Sequence, residues 1–293
     1  MKSLFLYLFC ALLSITCACQ QSTQSNNFPF AKGENKGKVS KDLEEASGLV
    51  ASINNSNCLW SMNDSGNSSD IFLINDKAEL VMRCKLKNTK NRDWESITTW
   101  RNQPSKLNYV YVGETGDNNA KHQLKYLYRM EEPEYTGNEK FTIDQIETFI
   151  IRLPDGPRDM EALAADHPTG DLYLFSKREQ NISVYYLSFD RLVAKDTLEP
   201  VKIGMLPFHN VVAADFSMDG KELLVKTYNE ILYWRREDAE SIKDVLMRKP
   251  VILDYHPEPQ GESIAWALDG SGFYTLSESV DNERAKLYFY KRN

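Results

Sequence analysis

A pattern of short strands repeats along the chain at intervals close to 50 residues, and this repeat limits the fold more than any other feature. Each copy opens with an acidic residue that is followed by small and apolar residues. The copies begin at Glu45, Glu95, Glu161, Asp215 and Glu262. Their spacings are 50, 66, 54 and 47 residues, and a four-stranded propeller blade takes about 40–50 residues. One copy per blade therefore predicts an all-β fold, a β-propeller.

The segments between the copies favour five blades. They contain aromatic and β-branched runs separated by Asn, Asp and Gly, which is typical of strands and turns. The last copy ends near Tyr290, one strand short of a blade, so we expect the segment before Glu45 to supply that strand and close the ring. Six blades are the alternative, because the 66-residue interval leaves room for an irregular blade. A β-sandwich with chance repeats is the other architecture.

The N-terminus has the pattern of an export signal. A positive start is followed by an apolar run at residues 4–15, which is too short to span a membrane comfortably. Small residues then lead into cysteine, as in a bacterial lipobox, and Cys19 is the first choice for lipidation with Cys17 as the alternative. We therefore expect a lipoprotein signal peptide (1–18), a flexible tether (19–32) and one propeller domain (33–293). A plain secretory signal is the other interpretation.

This leader predicts a location in the cell envelope, with a lipid anchor in the outer membrane and the propeller facing the periplasm. The whole chain carries 35 Lys and Arg against 42 Asp and Glu, a formal net charge of −7, which argues against nucleic-acid binding. In the propeller region, Cys58 and Cys84 could form a disulfide in an oxidising compartment, although we expect them on strands that are not neighbours. The four histidines lack the spacing of a zinc site.

Polar residues follow the second strand of each blade and are predicted to meet the acidic repeat. In an antiparallel blade, the start of the inner strand and the end of the second strand lie at the same edge. Both sets should therefore surround the mouth of the central channel. The predicted site residues at this mouth are Asp64, Glu95, Asp117, Arg158, Glu161, Lys177, Arg178, Asp215, Lys226, Glu262 and Glu278.

Several carboxylates around one axis need compensation, because two like charges 4 Å apart cost about 4 kcal/mol at an effective dielectric constant of 20. A bound cation, pairing with basic residues and proton uptake are the three solutions. Oxygen ligands favour Ca²⁺, or less readily Mg²⁺, over zinc or copper. The candidate metal ligands are Glu95, Glu161, Asp215 and Glu262. A structural ring, in which Lys177, Arg178, Lys226 and Arg158 pair with the acids, is the alternative. The candidate ligand-binding residues are Arg158, Lys226 and Glu278.

Five short motifs carry a resemblance to a known family. They are Asn-Asp-Ser-Gly at 63–66, Asp-Trp-Glu at 93–95, the glycine-bearing turn at 113–118, Arg-Asp-Met-Glu-Ala-Leu at 158–163 and Gly-Glu-Ser-Ile-Ala at 261–265. Together they resemble a family of bacterial secreted β-propellers, many of them lipoproteins and most without an assigned activity. More distantly, the chain resembles SdiA-regulated, gluconolactonase-type and phytase-like esterase propellers. The resemblance implies the fold and leaves the function open.

Two classes of function remain. The first is a lipid-anchored module that binds a small ligand or an envelope protein at the mouth. The second is a Ca²⁺-dependent hydrolase of an ester, lactone or phosphate, with Asp64 or Asp117 as the base and Lys177 or Arg178 orienting the substrate. No Gly-x-Ser-x-Gly motif is present, and the mouth mixes its charges. The binding module is therefore the favoured prediction.

Overall fold

The central architecture is a ring of five mainly antiparallel sheets. The computed structural model describes residues 29–293, which form five sheets. The innermost strands of the sheets contact one another in cyclic order around an axis. The chain is therefore a five-bladed β-propeller, as predicted, and a sixth blade is not formed by these residues.

The strands follow the chain blade by blade. The first strand is β1 (Glu34–Lys38). The first blade contains β2 (Ala46–Ala51), β3 (Cys58–Asn63), β4 (Asp70–Asn75) and β5 (Leu80–Leu86). The second contains β6 (Trp94–Asn102), β7 (Leu107–Glu114), β8 (Lys125–Glu131) and, after β9 (Lys140–Ile143), β10 (Glu147–Ile151). The third contains β11 (Met160–Ala165), β12 (Leu172–Ser176), β13 (Ile182–Leu187) and, after β14 (Thr197–Leu198), β15 (Val201–Leu206).

The last two blades complete the ring. The fourth contains β16 (Val211–Phe216), β17 (Glu222–Thr227), β18 (Ile231–Arg235) and β19 (Val251–Leu253). The fifth contains β20 (Ser263–Trp266), β21 (Gly272–Leu276) and β22 (Lys286–Lys291). A 3₁₀ turn (Phe189–Arg191) precedes β14, and the helix α1 (Ile242–Met247) lies between β18 and β19.

The N-terminal strand closes the ring, as the sequence predicts. β1 pairs antiparallel with β22, with Glu34 opposite Phe289 and Lys38 opposite Lys286, and so forms the outer strand of the fifth blade. The closure extends to Phe30, which forms a β-bridge to Arg292. All strands of the closed ring therefore lie within residues 29–293.

The 66-residue interval contains a strand that joins the preceding blade. β9 leaves the second blade and pairs in parallel with β5 of the first. In the same way, β14 leaves the third blade and pairs in parallel with β10 of the second. The extra length therefore links two blades and does not build a sixth.

The core consists of five apolar clusters, and each lies between two neighbouring blades. Trp60 of the first blade and Trp94 of the second belong to the cluster between these two blades, the first interface. Both are fully buried. Because each central strand has a blade on either side, strands such as β4 are buried along nearly their whole length. Cys58 and Cys84 belong to this first interface as free thiols, on two strands separated by β4.

The leader falls outside the described residues, and so do Cys17 and Cys19. Within residues 29–293, no helix is long and apolar enough to span a membrane.

The aromatic packing around Phe30, where the ring closes, should contribute strongly to the free energy of unfolding. Phe30 is buried and packs edge-on against Phe273, with ring centroids 5.0 Å apart. Phe30→Ala should lower the free energy of unfolding by about 3–5 kcal/mol, because it empties a packed site. Urea unfolding measures this loss. The control Phe141→Ala removes a ring that is 49% exposed and should change stability by about 0.5 kcal/mol or less; equal losses in both variants would contradict the assignment.

Candidate functional site

Three glutamates meet where inner strands begin. Glu95 and Glu161 lie at points where the pairing register of β6 and β11 shifts by one residue, and Glu262 directly precedes β20. A β-bulge at a strand end re-aims the side chain of the extra residue. One carboxylate oxygen from each of the three lies within 4.8 Å of the other two, and all three side chains are buried. We call these three residues the deep layer of the acidic mouth.

The same position is not acidic in the other two blades. In the fourth blade it is occupied by Val212, between Val211 and Ala213, and in the first blade by Ser47. These side chains line the narrow channel together with the three glutamates. The space in the channel is about 10 Å³, close to what a single water molecule needs, so organic ligands cannot enter it.

Asp215 does not join the deep layer, and the prediction that places it there is corrected. It lies three residues beyond Val212 on β16, which is about 10 Å along a strand. Its carboxylate is buried and accepts a hydrogen bond of 2.8 Å from the backbone N–H of Trp266 in the next inner strand. Burial raises the pKa of Asp215 to about 8. Asp215 therefore links two blades. Glu45 also lies outside the deep layer. It is exposed and precedes Ser47, which occupies the equivalent channel position, by two residues.

Lys177 compensates part of the negative charge of the deep layer. Its ammonium lies 3.0 Å from Glu161 and 3.3 Å from Glu262, and 5.2 Å from the centre of the Tyr228 ring. The Tyr228 hydroxyl donates a hydrogen bond to Glu262. Burial alone would favour the neutral amine, but the two carboxylates outweigh it and raise the pKa of Lys177. The pairing predicted from the sequence is therefore present at this residue.

Proton uptake accounts for another part of the compensation. One oxygen of Glu95 lies within 4.8 Å of an oxygen of Glu161, and proton uptake by either carboxyl group relieves the repulsion between them. Burial and the neighbouring Glu161 raise the pKa of Glu95, while burial raises that of Glu161 to about 8 against the attraction of Lys177. Ser47 donates a hydrogen bond of 3.0 Å to Glu95. The deep layer is thus held by the ammonium of Lys177 and the hydroxyl groups of Ser47 and Tyr228, and the raised pKa values favour proton uptake by its glutamates.

A second group of carboxylates lies above the first. Asp64 and Asp93 place oxygens within 4.8 Å of each other and of Glu95, and Glu278 is close enough to Glu262 and Asp64 for their charges to raise its pKa. We call Asp64, Asp93 and Glu278 the outer layer; all three are partly exposed. Burial, acting with neighbouring carboxylates, raises the pKa of Asp64 to about 6 and that of Glu278 to about 8.

Sequence reasoning missed two residues of this site. Asp93 is the first residue of the Asp-Trp-Glu motif but is not among the predicted site residues. Its position two residues before Glu95 brings it to the mouth. Tyr228 directly follows β17, among the polar strand endings expected at the same edge. The sequence position of each residue, next to a predicted strand end, is the feature that could have identified it.

Asp117 is engaged by its own loop. Its carboxylate accepts hydrogen bonds from the backbone N–H groups of Lys121 and His122 at 2.8 and 2.7 Å and pairs with Lys125 at 3.0 Å. Burial opposes ionisation, but these donors lower the pKa of Asp117. Such a carboxylate anchors a turn and is poorly suited to act as a base.

Two of the four predicted basic residues are engaged by other groups of the protein. Arg158 pairs with Asp155 and Glu179, at 2.8 and 2.6 Å. Lys226 is fully buried and donates a hydrogen bond to the carbonyl of Gly261; burial lowers its pKa to about 8. Neither is free to bind a ligand in this arrangement.

Arg178 is the exposed basic residue of the predicted set. It is 46% exposed and forms an ion pair with the buried Asp159. It therefore lies at the rim, while Lys177 lies beneath it in the deep layer.

The charge balance predicts the effect of removing Lys177. Lys177→Met should destabilise the fold by about 3–5 kcal/mol near pH 8, because Glu161 and Glu262 lose their buried counter-charge. Urea unfolding measures the loss. The control Lys202→Met breaks a more exposed pair with Asp155 and should cost about 1 kcal/mol or less. A similar loss in both variants would show that the buried pairing contributes nothing special.

The raised pKa of Glu161 predicts a pH dependence. Its ordinary value is 4.5 and its value in the fold is about 8, so folding takes up a proton between these values. Stability from this group is complete below about pH 4.5 and is lost as the pH rises through 8. In chelator, Glu161→Gln should therefore show a flatter decline of unfolding free energy from pH 5 to pH 8 than the wild type. The control Glu147→Gln, at an exposed carboxylate, should keep the wild-type slope; an unchanged slope in Glu161→Gln would contradict the shift.

Comparisons with known proteins extend no further than the fold. No protein-family model matches the chain, and no curated protein matches it. Among solved structures, the chain is similar to the hydrazine synthase of Kuenenia stuttgartiensis (8% identity, 85% of this chain and 83% of that one, TM-score 0.43) and to U3-55K (8%, 83% and 80%, 0.43). It is also similar to the Cps50 (Swd1) β-propeller domain of Myceliophteria thermophila (11%, 87% and 99%, 0.44). At these identities, the likeness concerns the β-propeller fold alone.

Proposed function

We propose that this protein is a ligand-binding module of the cell envelope, and that its ligand carries positive charge and binds over the acidic mouth. The observation that supports this proposal is the surplus of carboxylates. The deep and outer layers contribute six carboxyl groups, whereas Lys177 and Arg178 are the basic residues of the predicted set at the mouth. Both of these already form ion pairs within the protein.

The outer layer is the part that a ligand would contact. The channel below it holds about one water molecule, and Lys177, Ser47 and Tyr228 already bond to the deep carboxylates. Asp64, Asp93 and Glu278 remain partly exposed. A ligand with an ammonium or guanidinium group, either small or displayed by an envelope protein, matches this layer in charge.

The location in this proposal rests on the leader sequence. Lipid on Cys19, or on Cys17, would hold the propeller at the outer membrane through the part of the predicted tether (19–32) that precedes Phe30. Phe30 itself is buried and bridges to Arg292, so it belongs with β1 to the fifth blade. A short tether would therefore hold the fifth blade nearest to the membrane.

A Ca²⁺-dependent hydrolase is the second candidate, and one observation favours it. The pKa of Asp64 is raised to about 6, which suits a general base that works near neutral pH. Arg178 would orient an anionic group of an ester, lactone or phosphate substrate. The binding module is preferred because Asp117, the other predicted base, is held by its own loop.

The binding proposal predicts selectivity for cations. Spermidine should raise the Tm of the protein comprising residues 29–293, and added salt should weaken the effect because it screens charge at the exposed rim. The double variant Asp64→Asn/Glu278→Gln should lose most of the shift. The matched control Asp238→Asn removes a carboxylate that is 91% exposed on the fourth blade and should keep it. Equal shifts in both variants, or a larger shift with citrate, would contradict the proposal.

A further inference from the structure

We propose that the outer edge of the first blade binds an acidic segment of a partner protein, which adds to the blade in extended form as a further strand beside β9. This surface goes beyond the function proposed above, because its partner carries the opposite charge to the ligand of the acidic mouth. Three features support it: an open row of main-chain groups, basic side chains without partners, and a groove beside them.

The main-chain groups on one side of β9 have no partner strand. β9 is the last strand of its sheet, after β5, and the described residues place no strand beyond it. The carbonyl of Glu139 accepts a hydrogen bond of 2.8 Å from the N–H of Arg83 in β5, directly opposite Lys140. Because main-chain groups of successive residues alternate between the two sides of a strand, those of Lys140 and Thr142 point away from β5. Such an edge is a template for pairing with another chain.

Three basic side chains share one face of this edge. Arg83 lies opposite Lys140 in the pairing of β5 with β9, and Lys85 lies two residues beyond Arg83, so all three point to the same face. Arg83 pairs with Asp70 and Asp42. Lys85 and Lys140 are exposed and form no ion pair or side-chain hydrogen bond with any described residue. Since like charges on opposed residues destabilise a sheet, this face carries positive charge that the protein leaves uncompensated.

A groove of about 390 Å³ lies beside these basic side chains and includes Phe141 and Thr142 in its wall. Phe141 is 49% exposed. Successive side chains of a strand point to opposite faces, so an added strand would direct every second side chain towards the lysines and the others to the face of Phe141. Main-chain pairing supplies affinity in this mode of recognition, and the alternate side chains supply specificity.

The edge formed by β1 shows how lysines are compensated elsewhere in the same protein. Lysine is a common means of protecting a sheet edge from other chains. β1 carries Lys36 and Lys38, and these pair with Glu34 and Glu283. The lysines beside β9 are free of such pairs, so their charge remains available to the carboxylates of a partner.

Charge also identifies the occupant of the edge. Residues 1–28, which precede the described part of the chain, contain no Asp or Glu, so the protein's own N-terminal segment does not match. A second copy of β9 would bring like charges together at Lys140. An acidic segment of a different protein matches both the main-chain groups and the charge.

Peptide binding measured by fluorescence anisotropy tests this surface. A labelled peptide, Glu-Val-Glu-Val-Glu-Val, is titrated with the protein comprising residues 29–293, which contains every strand of the ring. The reference peptide has Gln in place of each Glu. We expect saturable binding of the glutamate peptide that salt weakens, and much weaker binding of the glutamine peptide. Equal binding of the two peptides, or no saturable binding up to about 1 mM protein, would overturn the proposal.

Charge reversal locates the binding surface. Lys85→Glu/Lys140→Glu should weaken binding of the glutamate peptide by about tenfold or more, because two attractions become repulsions. The matched control Lys243→Glu/Lys249→Glu makes the same change at two exposed lysines of the fourth blade and should keep the wild-type affinity. If the first variant fails to fold, as judged by circular dichroism, Lys140→Gln should weaken binding about two- to fivefold. Equal losses in the two charge-reversed variants would contradict the location.

N-methylated peptides test the strand pairing itself. Methyl groups on alternate amides remove the donors from one side of an extended peptide and leave its charge unchanged. Of the two peptides methylated on the two alternate sets, one should lose binding and the other should keep it. If both bind as the unmodified peptide does, main-chain pairing is absent and the proposal fails.

Sedimentation velocity tests the competing occupant. The protein alone should sediment as a monomer, with the edge open. A dimer that the glutamate peptide does not dissociate would show that a second copy occupies the edge, and this result would also overturn the proposal.

Discussion

The network around Lys177 is the interaction on which the rest of the structure depends. Each of the five blades contributes to it: Ser47 from the first, Glu95 from the second, Glu161 and Lys177 from the third, Tyr228 from the fourth and Glu262 from the fifth. Its members are distant in sequence and meet only when the ring is closed. A buried polar network of this kind is stabilising only when its members are satisfied. The network therefore couples closure of the ring to correct placement of every blade.

The same network explains why the mouth is suited to binding. The ammonium of Lys177 neutralises the deep carboxylates only in part, so their field extends to Asp64, Asp93 and Glu278. Burial raises the proton affinity of this outer layer. A cation can supply what the protein itself leaves uncompensated. Stability and the proposed binding would thus depend on the same charges, and uncompensated polar groups of this kind are expected at functional sites.

Much of the fold could be predicted from the sequence, but only part of the site. The repeat period indicates five blades, and the missing last strand indicates closure by β1. Glu95, Glu161, Glu262 and Lys177 were placed together because strand ends share an edge. Asp215 was misplaced, since a repeat pattern alone does not reveal a bulge, and the bulge decides which residue faces the axis. Arg158, Asp117 and Lys226 were assigned to the mouth by position, whereas local partners determine where their side chains point.

Strand pairing between neighbouring blades is distributed unevenly around the ring. β9 links the second blade to the first by pairing with β5, and β14 links the third to the second by pairing with β10. β1, which precedes the first blade in the chain, pairs with β22 of the fifth. Within residues 29–293, the fourth blade neither lends nor receives such a strand. Side-chain packing, hydrogen bonds and ion pairs hold it to its neighbours instead, among them Asp215 with Trp266, Arg236 with Asp166 and Arg292 with Glu222. Separation of the fourth blade from either neighbour would therefore break side-chain contacts but no strand pairing of residues 29–293.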